Sequence, residues 1–144
     1  MSTEYDVARR WRDYWYSLPM NTFMNLQLRN FDCASGRAVV GMPFRKELGN
    51  MHDNSGVHGG ALAALIDAVS NFAVAIHTGG EKTLTSNLRV DYLAWARAET
   101  IVCEAQVVKC GRRSALVDVE LRRESGEVLS VGRVSLSHRN IPLD

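Results

Sequence analysis
Cysteine, proline and unbalanced charge are all scarce in this chain, and each scarcity excludes a class of protein. The three cysteines, Cys33, Cys103 and Cys110, form no C-x-x-C pair and leave one thiol over from any disulfide scheme. That suits a reducing compartment better than secretion, and metal binding is equally unsupported. Lysine plus arginine total 17 against 16 aspartate plus glutamate. Such a balance gives no general attraction for nucleic acid or an acidic membrane, so any phosphate recognition must be local. No continuous apolar core of a signal peptide occurs in "MSTEYDVARRWRDYW", and the longest apolar segment is interrupted by Asp67, Ser70 and Asn71. A soluble cytoplasmic protein is expected, without a nucleic-acid or membrane partner.

No linker, repeat or low-complexity tract divides the sequence, and 46% hydrophobic content suits one domain over residues 1–144. Val7, Trp11, Tyr14, Trp15 and Leu18 recur at helical spacing between charged residues, which predicts an amphipathic helix within residues 1–20 that Pro19 helps to end. The strand-like runs "FMNLQLRNFD" and "GRAVVGMPF" follow as a hairpin around "CASG". A loop, "ELGNMHDNSG", then leads into a long helix over 58–78. Four further strand-like runs, "TLTSNLRVDYL", "TIVCEAQVVK", "SALVDVELRR" and "EVLSVGRVSLSHR", complete an α+β pattern with mainly antiparallel pairing.

The central helix is two-faced. At 3.6 residues per turn, Leu62, Leu65, Ile66, Val69, Phe72 and Ile76 form a bulky stripe to bury against the sheet. The opposite stripe, with Gly60, Ala63, Ala64, Asp67, Ser70, Asn71 and Val74, is mostly small and should meet another backbone, most simply the same face of a second subunit. Burying an ionised carboxylate there costs roughly several kcal/mol unless it is paired or hydrogen-bonded. Asp67 therefore either accepts hydrogen bonds from Ser70, Thr85 or a facing chain to fix the association, or it is a reacting group.

His58, Gly59 and Gly60 lie where the helix begins, so unpaired backbone N–H groups and the helix dipole can receive a developing negative charge. Eight residues separate Gly59 from Asp67, about 12 Å along a helix, too far for both to act on one carbonyl. Two such helices lying antiparallel across a twofold axis would bring Gly59 of one chain beside Asp67 of the other.

The stretch "NSGVHGGALAALID" resembles the signature of the hotdog-fold acyl-CoA thioesterases, in the PaaI-like phenylacetate-degradation branch. The resemblance extends from about Phe23 to His138 and includes "TSNLRVDYLAWARA" and "KCGRRSALVDVELRRESGEVLS". It implies a hotdog fold, a curved antiparallel sheet wrapped around the central helix, assembled as a homodimer and commonly as a dimer of dimers. The implied reaction is hydrolysis of an acyl- or aroyl-CoA with no metal or redox cofactor, coenzyme A being part of the substrate. By the same resemblance Gly59 N–H polarises the thioester carbonyl, His58 lies beside it, and Asp67 serves across the dimer as general base or nucleophile.

Thr85 matches a residue that positions the carboxylate and water, and the alternating run from Thr83 puts it on a polar face with Asn87 and Arg89. A threonine chosen only for strand propensity fits equally. Relatives often carry Asn or Gln six residues before the histidine; here that position is His52, and either His52 or Asn54 can serve as carbonyl donor. Gly60 and Ser70 are further candidate substrate contacts.

Lys109, Arg112 and Arg113 form a turn that either grips the phosphates of coenzyme A or is simply solvated. Tyr92, Trp95 and Arg97 are rim candidates, the N-terminal tryptophans read as core or as acyl-pocket wall, and His77 and His138 as structural or surface residues. Two alternatives stay open: a non-catalytic acyl-CoA-binding or regulatory protein on the same scaffold, and a hotdog enoyl-thioester hydratase or dehydratase.

Overall fold
Thr3 starts the first helix: its hydroxyl accepts the Asp6 N–H at 3.2 Å while the Asp6 carboxylate accepts the Thr3 N–H at 3.1 Å. This reciprocal cap, with Glu4 and Asp6 at the positive end of the dipole, opens α1 (Glu4–Ser17). The chain is described here from a computed structural model covering residues 3–141. Residues 1, 2 and 142–144, which the expected helix and domain spans also include, lie outside the described residues.

α1 stops just before Pro19, as expected, but Pro19 also begins a second, unexpected helix, α2 (Pro19–Phe23). Proline suits the first helical position because its missing N–H would lack a partner there, and it holds the preceding Leu18 extended, at φ −64° and ψ 130°. The expected first strand is shorter for the same reason: Phe23 closes α2, Asn25 turns the chain at φ 53°, and β1 (Gln27–Asp32) begins after it.

β1 pairs with β2 (Arg37–Met42), and after a 3-10 turn at Lys46–Leu48 the chain enters α3 (Gly59–His77), then β3 (Lys82–Tyr92), β4 (Ile101–Cys110), β5 (Ser114–Arg123) and β6 (Val128–Arg139). All pairings are antiparallel, in the order β1-β2-β4-β5-β6-β3. The curved sheet wraps α3, as expected. Although α3 is long and apolar enough to cross a membrane, with mean hydropathy 1.7 over its best window, it is the core helix of this sheet. All six residues of the bulky stripe are buried.

The small stripe is covered more than its pattern implied. Ser70 and Val74 are fully buried within the single chain. On the opposite flank of α3 lies α1: the Trp15 indole N–H donates to the Ala68 carbonyl at 2.9 Å, and its ring lies 5.2 Å from that of Phe72. Trp15 thus closes over one side of α3, and Ala64 and Asp67 remain only half-buried.

A bulge decides which β3 residues face the helix. Between Thr85 and Asn87 the pairing with β6 slips by one residue, so inward positions change from Thr83 and Thr85 to Leu88 and Val90. Thr85 therefore does not share a face with Asn87 and Arg89; the extra residue reverses the alternation.

Candidate active site
Asp67 is half-buried where α3 passes β3. Thr85 Oγ1 donates to its Oδ1 at 2.5 Å, and Asn71 Nδ2, one helical turn on, reaches the same oxygen at 3.2 Å and the Asp67 carbonyl at 2.7 Å. Thr83 Oγ1 in turn donates to Asn71 Oδ1 at 2.5 Å, which fixes the amide so that its NH2 faces the carboxylate. Both side-chain donors meet Oδ1, and Oδ2 accepts no hydrogen bond among the described residues. The carboxylate is therefore oriented through one oxygen and free at the other. Of the three donors the sequence offered it, Thr85 is the one in contact; Ser70 is buried and its hydroxyl has no partner among the described residues. Asn71 and Thr83 were not singled out as site residues, although the i, i+4 spacing of Asp67 and Asn71 was visible.

At the start of α3, His58 is the N-cap, its Nδ1 accepting the Gly60 N–H at 2.8 Å. That bond requires the neutral ring's proton on Nε2, so His58 presents a donor rather than a base. Gly60 is needed there, because a Cβ would lie 2.9 Å from that Nδ1. Gly59 N–H has no acceptor among the described residues, as befits the first turn of a helix. Tyr92 Oη donates to the Gly59 carbonyl at 2.6 Å and fixes the peptide from the other side. Gly59 borders a cavity of about 380 Å³ that it shares with Asn50, Leu62, Tyr92 and Trp95, whereas Asp67 borders a separate groove of about 590 Å³. Within one chain Gly59 and Asp67 thus border different cavities, consistent with the separation expected along the helix.

His52 and Asn54 are both exposed on the loop before α3 and border neither cavity. Asn50 does border the Gly59 cavity, and its backbone N–H donates to the Gly56 carbonyl at 3.2 Å. Gly56 lets this happen, since a Cβ there would lie 2.5 Å from both Asn50 Oδ1 and Trp95 Nε1. Counting residues back from His58 points to His52; the compact turn at Gly56 brings Asn50 instead.

Lys109, Arg112 and Arg113 are exposed and form no ion pair among the described residues. The Arg113 carbonyl accepts the N–H of His138, which pairs with Thr83, so this turn lies at the Asp67 end of the sheet. His138 itself is buried: Nδ1 faces the Glu81 carboxylate, and Nε2 faces the Gly111 carbonyl at 2.9 Å and Cys110 Sγ at 3.6 Å. His77 Nδ1 lies 3.0 Å from the Cys33 carbonyl. Burial is the main reason that the thiols of Cys33, Cys103 and Cys110 are all pushed above the ordinary range, so none is an activated nucleophile.

The chain is similar to known proteins. The human protein "Acyl-coenzyme A thioesterase 13" is 29% identical over 104 residues, covering 69% of this chain and 71% of its own. The solved structure of the Escherichia coli PaaI protein from the phenylacetic acid degradation operon superposes with a TM-score of 0.84 at 21% identity, covering 96% of this chain and 97% of that one. A thioesterase from Haemophilus influenzae gives 0.78 at 18% identity, covering 97% and 92%. These two structures establish the shared hotdog fold. The family model described as Thioesterase superfamily matches residues 54–130, which run from the loop before α3 through Asp67 and Thr85 into β6, and the chain belongs to that superfamily.

Proposed function
We propose that this chain is an acyl-CoA thioesterase whose active sites are completed by a second copy of itself. The observation that carries the reading is the division of labour within one chain: a carboxylate oriented through Oδ1 and free at Oδ2, and, in a different cavity, an unpaired N–H at a helix start. Antiparallel α3 helices across a twofold axis would join Asp67 of one chain to Gly59 of the other, and the open edge of β3 is available to the same partner.

In this reading the thioester carbonyl oxygen receives Gly59 N–H, with His58 Nε2–H and the Asn50 amide as further donors, where the helix dipole favours the oxyanion. Water loses a proton to Asp67 Oδ2 as its oxygen bonds to the carbonyl carbon. The C–S bond then breaks, coenzyme A leaves as the thiol after taking up a proton, and the acid departs. The reaction needs only side chains, water and substrate, and the free cysteines suit a cytoplasmic setting. Single-turnover hydrolysis in ¹⁸O-water tests for attack by Asp67 itself, because a mixed anhydride opened by water at the Asp67 carbonyl leaves label in the carboxylate, whereas direct hydrolysis leaves it only in the product acid. A hydratase would need an imidazole lone pair at the site; that of His58 is engaged by Gly60 N–H.

The test is thiol release from a panel of acyl-CoA esters. Asp67→Asn is expected to lose at least about a hundredfold in kcat while keeping fold and assembly. Mixed refolding of Asp67→Asn with Gly59→Val chains, each inactive alone, should restore about a quarter of wild-type activity, since half the dimers are then mixed and each holds one intact site. No recovery, with mixed dimers shown to form, would place both groups in sites within one chain and refute the shared-site reading.

A further inference from the structure
Half of the residues that line the groove beside Asp67 come from a part of the chain that the family match does not reach. Its walls include Trp11, Tyr14, Trp15, Met20 and Met24 of the α1–α2 segment and Leu84 of β3, all on the chain that supplies the carboxylate. Its polar lining is largely committed elsewhere. Asn21 Nδ2 donates to the Trp15 carbonyl at 2.9 Å, and Thr83, Thr85 and Asn71 are joined in the network around Asp67. Lys82 is the one cation on the described lining. The aromatic wall is rigid: Trp15 is pinned to Ala68, and Trp11 and Tyr14 meet edge to face at 5.2 Å. At the mouth, Met20 and Leu84 leave apolar surface in water, at 51% and 73% exposure.

We propose that the α1–α2 segment is the wall against which the substrate's acyl group lies, so that it, rather than the α3 motif, selects an apolar acyl group larger than acetyl and without a charged end. The inference rests on Asp67 being the group that acts on the thioester. The acyl carbon bonded to the attacked carbonyl must then lie beside Asp67, and the adjoining space is this groove. An acyl chain entering it covers Met20 and Leu84, loses contact with water along its length, and pays little ordering cost because the wall is already fixed. A terminal carboxylate would be desolvated against aromatic rings with one lysine to receive it.

The experiment measures binding apart from hydrolysis. Non-hydrolysable S-ethyl-, S-hexyl-, S-decyl- and S-(5-carboxypentyl)-CoA are titrated calorimetrically into the full chain and into Met20→Ala and Leu84→Ser, two exposed positions whose replacement leaves the core intact. Each methylene buried should strengthen binding by up to about fourfold, so S-decyl-CoA should bind at least about thirtyfold tighter than S-ethyl-CoA. The carboxypentyl ligand should bind at least about tenfold more weakly than S-hexyl-CoA. Met20→Ala should weaken S-decyl-CoA about fivefold and leave S-ethyl-CoA within about twofold. Equal affinity for ethyl and decyl ligands overturns the inference, as does a carboxypentyl ligand as tight as hexyl, or loss at Met20 and Leu84 that ignores chain length. Chain-dependent binding with no hydrolysis of any thioester would keep the groove's role and remove the hydrolytic reading.

Discussion

Thr85 and Asn71 both hold Asp67 through Oδ1, yet they are not equivalent: the threonine bond is the shorter, and the asparagine is shared with the helix backbone. Thr85→Val should therefore lower kcat about tenfold with little change in KM, because substrate contacts stay while the carboxylate loses its orientation; Thr85→Ser should restore most of it. Steady-state kinetics on the two variants decides this, and wild-type kcat in Thr85→Val would assign Thr85 to strand packing. The loop before α3 offers a second contrast. Asn50→Ala should cost about ten- to a hundredfold in kcat as an oxyanion donor is removed, whereas His52→Ala should stay within about twofold of wild type. The reverse ranking would reinstate the donor position counted along the sequence.

At the scale of elements, the start of α3 serves stability and the site together. His58 caps the helix through a ring that a Cβ at Gly60 would displace, the distance to Nδ1 being 2.9 Å. Gly60→Ala should lower stability by about 1 kcal/mol, the usual worth of a cap, despite the better helix propensity of alanine. Chemical denaturation measures the first effect, and a parallel fall in kcat would tie the cap to the site; a gain in stability would show the ring free to move. The β3 bulge is the other element-scale device. Were Ser86 paired in the regular ladder rather than bulged, Thr85 and Leu88 could not both face α3, and the carboxylate would lose its strand-side donor if the core kept its leucine.

Across the whole molecule, the outer face of the sheet carries ion pairs that link strands far apart in sequence. Glu104 on β4 receives Arg37 of β2 at 2.7 Å and Arg122 of β5, while Asp118 and Arg133 pair across β5 and β6 at 2.7 Å. The Arg37 hydrogen bond is the main reason the Glu104 carboxyl is held below the ordinary glutamate range, and Arg133 does the same for Asp118. A depressed folded value means that the stabilisation is present above the unfolded-state value and is lost as pH falls through the folded one. These side chains remain partly exposed, so the effect is modest. Thermal melts of Glu104→Gln should lie up to about 3 °C below wild type at pH 7, and the gap should close near pH 3. A gap independent of pH would mean that the glutamine is felt through packing.

The sequence by itself determined the six strands, the first and the central helix, and their order, α2 excepted, because period-2 and period-3.6 patterns are local and survive in any environment that buries one face. It also marked Asp67, since a carboxylate on a helix otherwise apolar or small is costly wherever that helix is buried. The eight residues to Gly59 were enough to separate it from Asp67, because helical rise is fixed by backbone geometry. Tertiary structure decided the rest. Ser70 and Val74 are buried within the single chain, and α1 closes over the opposite flank of α3 through Trp15, a contact between segments more than fifty residues apart that no local period records. One slipped residue in β3 put Thr85 against Asp67, and one tight turn at Gly56 put Asn50, not His52, beside Gly59. Each of these rests on where the chain returns to meet itself, which depends on the packing of distant segments and not on the pattern within any one of them.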